Sequence, residues 1–514
     1  MTNTSSSFSS TVVIDGSDSE SEVQIISEPG TNKRQRHNLS SFVVKTSKNE
    51  ESKIDNKVAL FFYSNNIAFN IAQSKSFKDM MKYLRPGYNP PDRHKLGGEL
   101  LDEAANTVDQ ELSNNLKPEN CSLTLLLDGW SSIKNDPIIA TSIHTGKKSF
   151  LLNAIESEPV KKTAEYCAKI ACDAIDLCED QFNKSIFAVC TDNENKMKSM
   201  REMLKVKHEK LITYGCSAHY MNLVAKEIFP KELTKHIIEV QKFFRNHHQP
   251  HGWLKEKKGL MPQLPSEVRW NSFEECLTTF TNNYHLYIDI STQHEEDFPL
   301  NILNILGNVA VYQEANYLKN HLQIVSAALN KLQSDSTNIS NAVEIWLALI
   351  ENPNLTQYKE VFLRRFREAI SPAHLVANMT DPKYMGNKLS TNLEEKAEAF
   401  LINYNPNFLV PFMAFRIKDN DLYPESMFLD TVTMELSANK WWQLMKMKAK
   451  KKLSSNEEFY DFLIKLHNCP ASSAGIERIF SSYGLIWSKL RNRLGVEKAT
   501  KLVKVHKYYR TLDI

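Results

Sequence analysis

Near residue 122 the apolar pattern of the chain changes period, and that change limits the folds open to it. Upstream, "VALFFYSNNIAFNIAQSKSFKDMMKYLRPGY" and "GGELLDEAANTVDQELSNNL" carry apolar residues at helical spacing. Short apolar runs of strand length follow. They are "LTLLLDGWSS", whose apolar part ends in Asp128; "PIIATSIHT" and "KSFLLNAIES", joined by the turn Gly146-Lys147-Lys148; "KSIFAVCTDN", ending in Asp192; and "LITYGC". The amphipathic stretches "TAEYCAKIACDAIDLCEDQ" and "ENKMKSMREMLK" lie between the later runs. Three strands followed by alternating helix and strand predict an α/β fold: a mixed sheet with helices on its faces.

From about 273 to 455 the texture is helical throughout, with no repeat of fixed period. A chain of 514 residues is too long for one simple core. This stretch therefore reads as a helical domain inserted into, or following, the sheet domain. Two final helices are expected at about 472–490 and 496–511. Residues 1–55, rich in Ser, Asn, Asp, Glu and Lys, are expected to be a disordered tail, and 56–120 a small helical region. Within the tail "NKRQRH" (Asn32 to His37) fits either a nuclear localisation signal or a chance basic cluster.

With a formal net charge of only +2, any nucleic-acid contact must come from local basic patches. Eight cysteines, none before Cys121, do not make a secreted disulfide framework, so a reducing compartment is expected. The N-terminus lacks the basic and apolar regions of a signal peptide. No run approaches the roughly 20 apolar residues of a membrane span, so no membrane partner is expected.

Asp128 and Asp192 both follow apolar strands, and functional groups in α/β sheets gather at the carboxyl ends of strands. If the two strands are parallel neighbours, the carboxylates stand side by side and repel unless a cation lies between them. Hard oxygen ligands suit Mg²⁺, and paired Mg²⁺ ions can clamp the attacking and leaving oxygens of a phosphodiester. The plainer account is that each Asp caps the turn after its strand. Near the C-terminus, "SSAGIERIF" offers Ser472 or Ser473 as N-cap and an inward stripe of Ile476, Ile479, Phe480, Tyr483, Ile486 and Trp487. Glu477 borders that stripe. It is either half of a surface ion pair with Arg478 or a carboxylate reaching into a cleft.

Five stretches together resemble hAT-superfamily transposases over roughly residues 57 to 511: "LLLDGWSS", "AVCTDNENKMKSM", "YGCSAHYMNLVAKEI", "PSEVRWNS" and "PASSAGIERIFSSYGLIWSKLRNRLGVEKATKLVKVHKYYR". The middle portion resembles the domain of unknown function that often precedes the hAT C-terminal dimerisation region. The resemblance implies a ribonuclease-H-like fold, with a mixed sheet and helices on both faces. Its first part would be 121–272, interrupted by a helical insertion at 273–455 and completed by a dimerisation region at 456–514. It also implies an Asp-Asp-Glu triad on Asp128, Asp192 and Glu477 that binds divalent metal, Mg²⁺ or Mn²⁺. Such enzymes cleave and transfer DNA strands and form hairpins on flanking DNA. The implied partners are DNA and a second copy of the chain, and the implied location is the nucleus.

Cys216 and His219, in "CSAH", match the family's Cys-x-x-His signature near the active site and DNA; alone they are half of a zinc site, or a buried Cys with a core His, and no zinc is expected. Arg269 and Trp270 match its Arg-Trp motif, suited to phosphate contact and stacking on an extruded base; apart from the resemblance, a Trp in a helical region reads as core. The tract holding His247, His248 and His251 fits a metal tract, a DNA-facing loop or solvated surface. Trp441 and Trp442 read as core, and the lysines after them as a solvated face. Many relatives carry an N-terminal BED-type zinc finger, which needs cysteines this chain lacks ahead of Cys121. That departure keeps a second reading open: a non-catalytic nuclear protein that binds DNA or chromatin and dimerises.

Overall fold

The computed structural model describes residues 46–116, 122–131, 136–157, 162–266, 271–451, 456–487 and 494–510. Arg269, Trp270 and the basic cluster at 32–37 lie outside them. One five-stranded mixed sheet, in the order β3-β2-β1-β4-β5, organises the chain. The strands are β1 Leu123–Ser131, β2 Pro137–His144, β3 Ser149–Glu156, β4 Ile186–Thr191 and β5 Ile212–Gly215. β1, β2 and β3 form an antiparallel meander, while β4 and β5 add in parallel to β1. The β2–β3 turn closes with Thr145 N–H donating to Lys148 O at 3.1 Å, and Gly146 takes φ 83°, which only glycine adopts cheaply.

Strand period two sorts the apolar residues to two faces. Leu126, Ala188, Cys190 and Tyr214 face one side; Leu125, Leu127 and Val189 face the other. The second face is covered by the helices Ala164–Phe182 and Asn195–Lys207 through Ile170, Ile175, Met200 and Leu204. The first face receives the helix Ala474–Ile486, whose Ile476, Ile479, Phe480, Tyr483 and Ile486 are all buried. Each such side chain contributes about 1.5–3 kcal/mol of burial. The sheet, both helical layers and the long helical region fit an α/β ribonuclease-H-like sheet with added helical parts.

Between Ser272 and Leu466 the described residues hold helices and no strand. Trp441 and Trp442 are core, their indole N–H groups donating to Met427 O at 2.8 Å and Thr380 O at 2.9 Å. Two expectations need correction. A helix spans Lys48–Ser64, its first residues inside the stretch expected to be a tail, because Ser47 and Glu50 form a capping box and the buried Asp55 accepts from Tyr88 and Lys95. The first of the two final helices is Ala474–Ile486, shorter than its periodicity suggested; the second, Val496–Arg510, runs as expected to the last described residue. Their apolar residues close on the chain itself: Trp487, Leu502, Val503 and Val505 are buried, and Val496–Arg510 packs on β3 and on the helices Lys48–Ser64 and Glu99–Leu116. Leu485 is exposed.

Helix Ala474–Ile486 approaches the sheet so closely that a Cβ on Gly475 would overlap Ser149 Oγ and press on Leu126. Gly484, on the same helix, has nothing nearby. Gly475→Ala should therefore cost about 1–3 kcal/mol through overpacking. Gly484→Ala should be neutral or stabilise by up to about 1 kcal/mol through helix propensity. Chemical denaturation followed by circular dichroism distinguishes them; equal stability of the two variants would contradict this packing.

Candidate functional site

Parallel pairing of β1 with β4 runs from Leu123/Ile186 to Leu127/Thr191 and stops there. The next residues are Asp128 and Asp192, so the register alone sets the two carboxylates side by side. β1 itself continues to Ser131 against β2, so Asp128 stands where β1 parts from β4, inside the strand and not at its end. Each aspartate also performs the plainer role: Asp128 Oδ1 accepts from Gly129 N–H at 2.7 Å, and Asp192 Oδ1 from Glu194 N–H at 3.1 Å.

Parity places Asp128 on the face of Leu126, the face covered by the helix that carries Glu477. All three carboxyls are half-buried and feel one another. Burial pushes Asp128 up to about 7, with repulsion from Asp192 next in size. Burial also pushes Glu477 up to about 8, and Asp128 and Asp192 add to it. Asp192 is raised by burial and by Glu194, while the Glu194 backbone hydrogen bond, His219 and Lys196 pull it down. Arg478 pulls Glu477 down but forms no ion pair with it among the described residues, turning instead to Asp335 and to Gln333 O, the latter at 2.8 Å.

The helix holding Glu477 is fixed at both ends of its first turns. Ser472 is not its cap acceptor alone: Ser472 Oγ accepts from Ala474 N–H at 3.4 Å and donates to Leu332 O at 2.8 Å. Trp130, two residues beyond Asp128, stacks on Phe480 with centroids 6.1 Å apart and packs against Tyr483 and Trp487. Cys216 is fully buried, and its Sγ accepts from both His219 N–H and Ser473 N–H at 3.4 Å. Its place is that of a helix cap and a link between chain segments. The His219 ring is half-buried beside Asp192 and Glu194, and burial lowers its basicity.

Sequence reasoning missed four neighbours. A cavity of about 420 Å³ at these strand ends is walled by Asp128, Asp192, Trp130, Lys162, Glu194 and Lys196, among others. Lys162 donates to Ile138 O at 3.4 Å, and burial and Lys196 lower its pKa. Lys196 pairs with Glu194 at 2.5 Å. The buried Arg201 donates to Thr191 Oγ1 at 2.5 Å and Asp192 O at 2.8 Å, clamping the backbone under the second aspartate. Its signal in the sequence was a cation on the apolar face of a helix, four residues after Met197 and three before Leu204.

Oxygen donors whose proton affinity is raised by one another suit a hard divalent cation. As placed, no three His, Cys, Asp or Glu among the described residues are gathered closely enough to hold one ion, the histidine tract included. Of the three expected ligands, Asp128 and Asp192 line the cavity, beside Glu194, and Glu477 does not.

A family model described as "Domain of unknown function (DUF659)" matches residues 91–243, and that domain is found in hAT-like transposase-related proteins. The match covers all five strands and both aspartates and ends before Glu477. No curated protein matches the chain.

A carboxyl with a raised folded pKa holds its proton better in the folded chain than in the unfolded one. Its stabilising contribution is complete below about pH 4 and is lost as pH rises through about 7 for Asp128 and about 8 for Glu477. In chelator, the protein should lose thermal stability between about pH 5 and pH 8. Glu477→Gln should melt with wild type at the acid end and a few degrees above it at the alkaline end. Parallel melting curves across that range would contradict the coupling.

Proposed function

We propose that this chain is a hAT-type transposase or a protein derived from one: a DNA-binding, self-associating polynucleotidyl transferase of the Asp-Asp-Glu type. The reading is carried by one observation, the β1–β4 register that sets Asp128 beside Asp192 under a face covered by the distant C-terminal helix that bears Glu477. The match of residues 91–243 to a domain found in transposase-related proteins supports it.

In this reading Asp128, Asp192 and Glu477 would hold Mg²⁺ or Mn²⁺, which when bound stabilises charge on the attacking and leaving oxygens of a phosphodiester. Lys162 and Lys196, on the cavity wall, attract the DNA phosphates that the carboxylates would otherwise repel. Arg201 keeps Asp192 in register from below, and Trp130 keeps the helix of Glu477 seated. His219 sits beside Asp192 as a neutral ring able to accept or donate one hydrogen bond. Arg269 and Trp270 would hold phosphate and an unstacked base beyond this centre. A nuclear location and a homodimer formed through the C-terminal region belong to the same proposal. The partner surface would then lie outside the buried stripe, around exposed positions such as Leu485.

The test is nicking of duplex DNA that carries the element's terminal repeats, in Mg²⁺ or Mn²⁺. Asp192→Asn should cut more than about 100-fold more slowly than wild type while melting normally, since loss of a ligand exceeds the loss from an outer-shell partner. Equal activity would remove the cleavage claim and leave a DNA-binding scaffold. A separate measurement addresses Trp270: Trp270→Ala should slow hairpin formation at least about tenfold more than the first nick, because stacking matters once the base is extruded. Equal slowing of both steps would remove the stacking role.

A further inference from the structure

A second cavity, of about 300 Å³, lies between β3 and the helices Glu99–Leu116, Ala474–Ile486 and Val496–Arg510. Its floor is apolar, with Leu112, Leu151 and the ring pair Phe150 and Tyr508, whose centroids are 6.5 Å apart at 45°. Its wall carries four cations, Lys148, Arg478, Lys504 and Lys507, and one carboxylate, Asp335.

Lys148 has an interaction of its own, and two more of these cations are neutralised. Arg478 pairs with Asp335, and Lys504 donates to both oxygens of Asp109 at 2.8 and 3.0 Å. Lys507 makes no hydrogen bond or ion pair among the described residues; burial pushes its ammonium down to about 8, and Arg478 pushes the same way against Asp335. Ser149 Oγ in the same wall is sealed against Gly475 and out of a ligand's reach. A half-buried cation with no ion-pair partner of its own costs free energy beside apolar side chains. One anionic ligand would relieve that cost. Its anionic head would meet Lys507, and a flat apolar body would lie on Phe150 and Tyr508.

We propose that this cavity binds a small aromatic anion, a phosphate monoester or carboxylate, at a site separate from the Asp128, Asp192 and Glu477 carboxylates. The volume suits a molecule of one or two rings, near the lower limit of ligand pockets. The proposal does not depend on whether the chain cuts DNA.

The probe is 1-naphthyl phosphate, titrated into the full chain and followed by calorimetry. It should bind at least about tenfold more tightly than either inorganic phosphate or neutral 1-naphthol, because only it uses both halves of the cavity. Lys507→Met should weaken binding at least about tenfold while melting at or above the wild-type temperature, since it removes a half-buried cation with no ion pair among the described residues. Lys507→Arg should keep most of the affinity, and Leu112→Trp, which fills the floor, should abolish it. Three results would overturn the proposal: no binding by wild type, unchanged binding by a cooperatively melting Lys507→Met, or inorganic phosphate binding as tightly as the naphthyl ester. Displacement of the probe by short duplex DNA would also overturn it, by identifying the anion as a nucleic-acid backbone.

Discussion

The short segment Cys469–Ser473 holds the separate parts of this chain together through buried backbone hydrogen bonds. Tyr214 at the end of β5 donates to Pro470 O at 2.8 Å, and Ser217 N–H donates to Ala471 O at 3.1 Å. From the helical region, Ile339 N–H donates to Cys469 O at 3.1 Å, and Ala471 N–H donates to Thr337 O at 2.8 Å. A typical hydrogen bond of this kind contributes only about 0.5–1.5 kcal/mol, but a buried polar group left without its partner costs about 1–3 kcal/mol. The segment is therefore fixed less by the strength of its bonds than by the penalty for leaving any one of them open. Because helix Ala474–Ile486 begins directly after it, the position of Glu477 follows from contacts made by its neighbours.

That positioning carries an electrostatic cost which the fold holds in place. Three carboxyls are brought to one face, where burial and repulsion raise their proton affinity. Nothing in hydrophobic packing asks for this. A chain selected for stability alone would place an apolar or neutral group at one of the three positions. Charge gathered against its own repulsion is the physical ground on which the proposed cation site rests. The surrounding structure is correspondingly stiff: Arg201 under Asp192, the Gly129 amide on Asp128, and the Trp130 stack on Phe480.

The sheet was legible because strand length and composition differ so clearly from the helical periodicity around them. The neighbouring aspartates were legible because each follows an apolar run. Glu477 could be placed at the border of a stripe, but its destination depended on a contact across most of the chain, and local pattern carries no such information. Local pattern could not decide between an ion pair with Arg478 and a carboxylate in a cleft for the same reason, since Asp335, which pairs with Arg478, lies far away in sequence. The early start of the first helix was hidden by composition: Asp55 sits in a polar stretch, and only its buried bonds to Tyr88 and Lys95 explain its order. Arg201 and Lys162 were passed over because a single cation in an amphipathic helix or a loop is usually solvated.

Helix Ala474–Ile486 borders both proposed sites, with Glu477 toward the aspartates and Gly475 and Arg478 toward the cationic cavity. Sharing a helix does not by itself couple them. A ligand in the cavity can shift the carboxylates only if the helix has a second position that the ligand prefers. Here the helix is held at its start by the Cys469–Ser473 segment, along its length by Trp130, and against β3 by the contact at Gly475 that leaves no room for a Cβ. A sliding movement would open those buried bonds together, and the close approach at Gly475 resists inward movement. The physical expectation is that the two sites fill independently, and that the helix acts as a common wall between them and not as a lever.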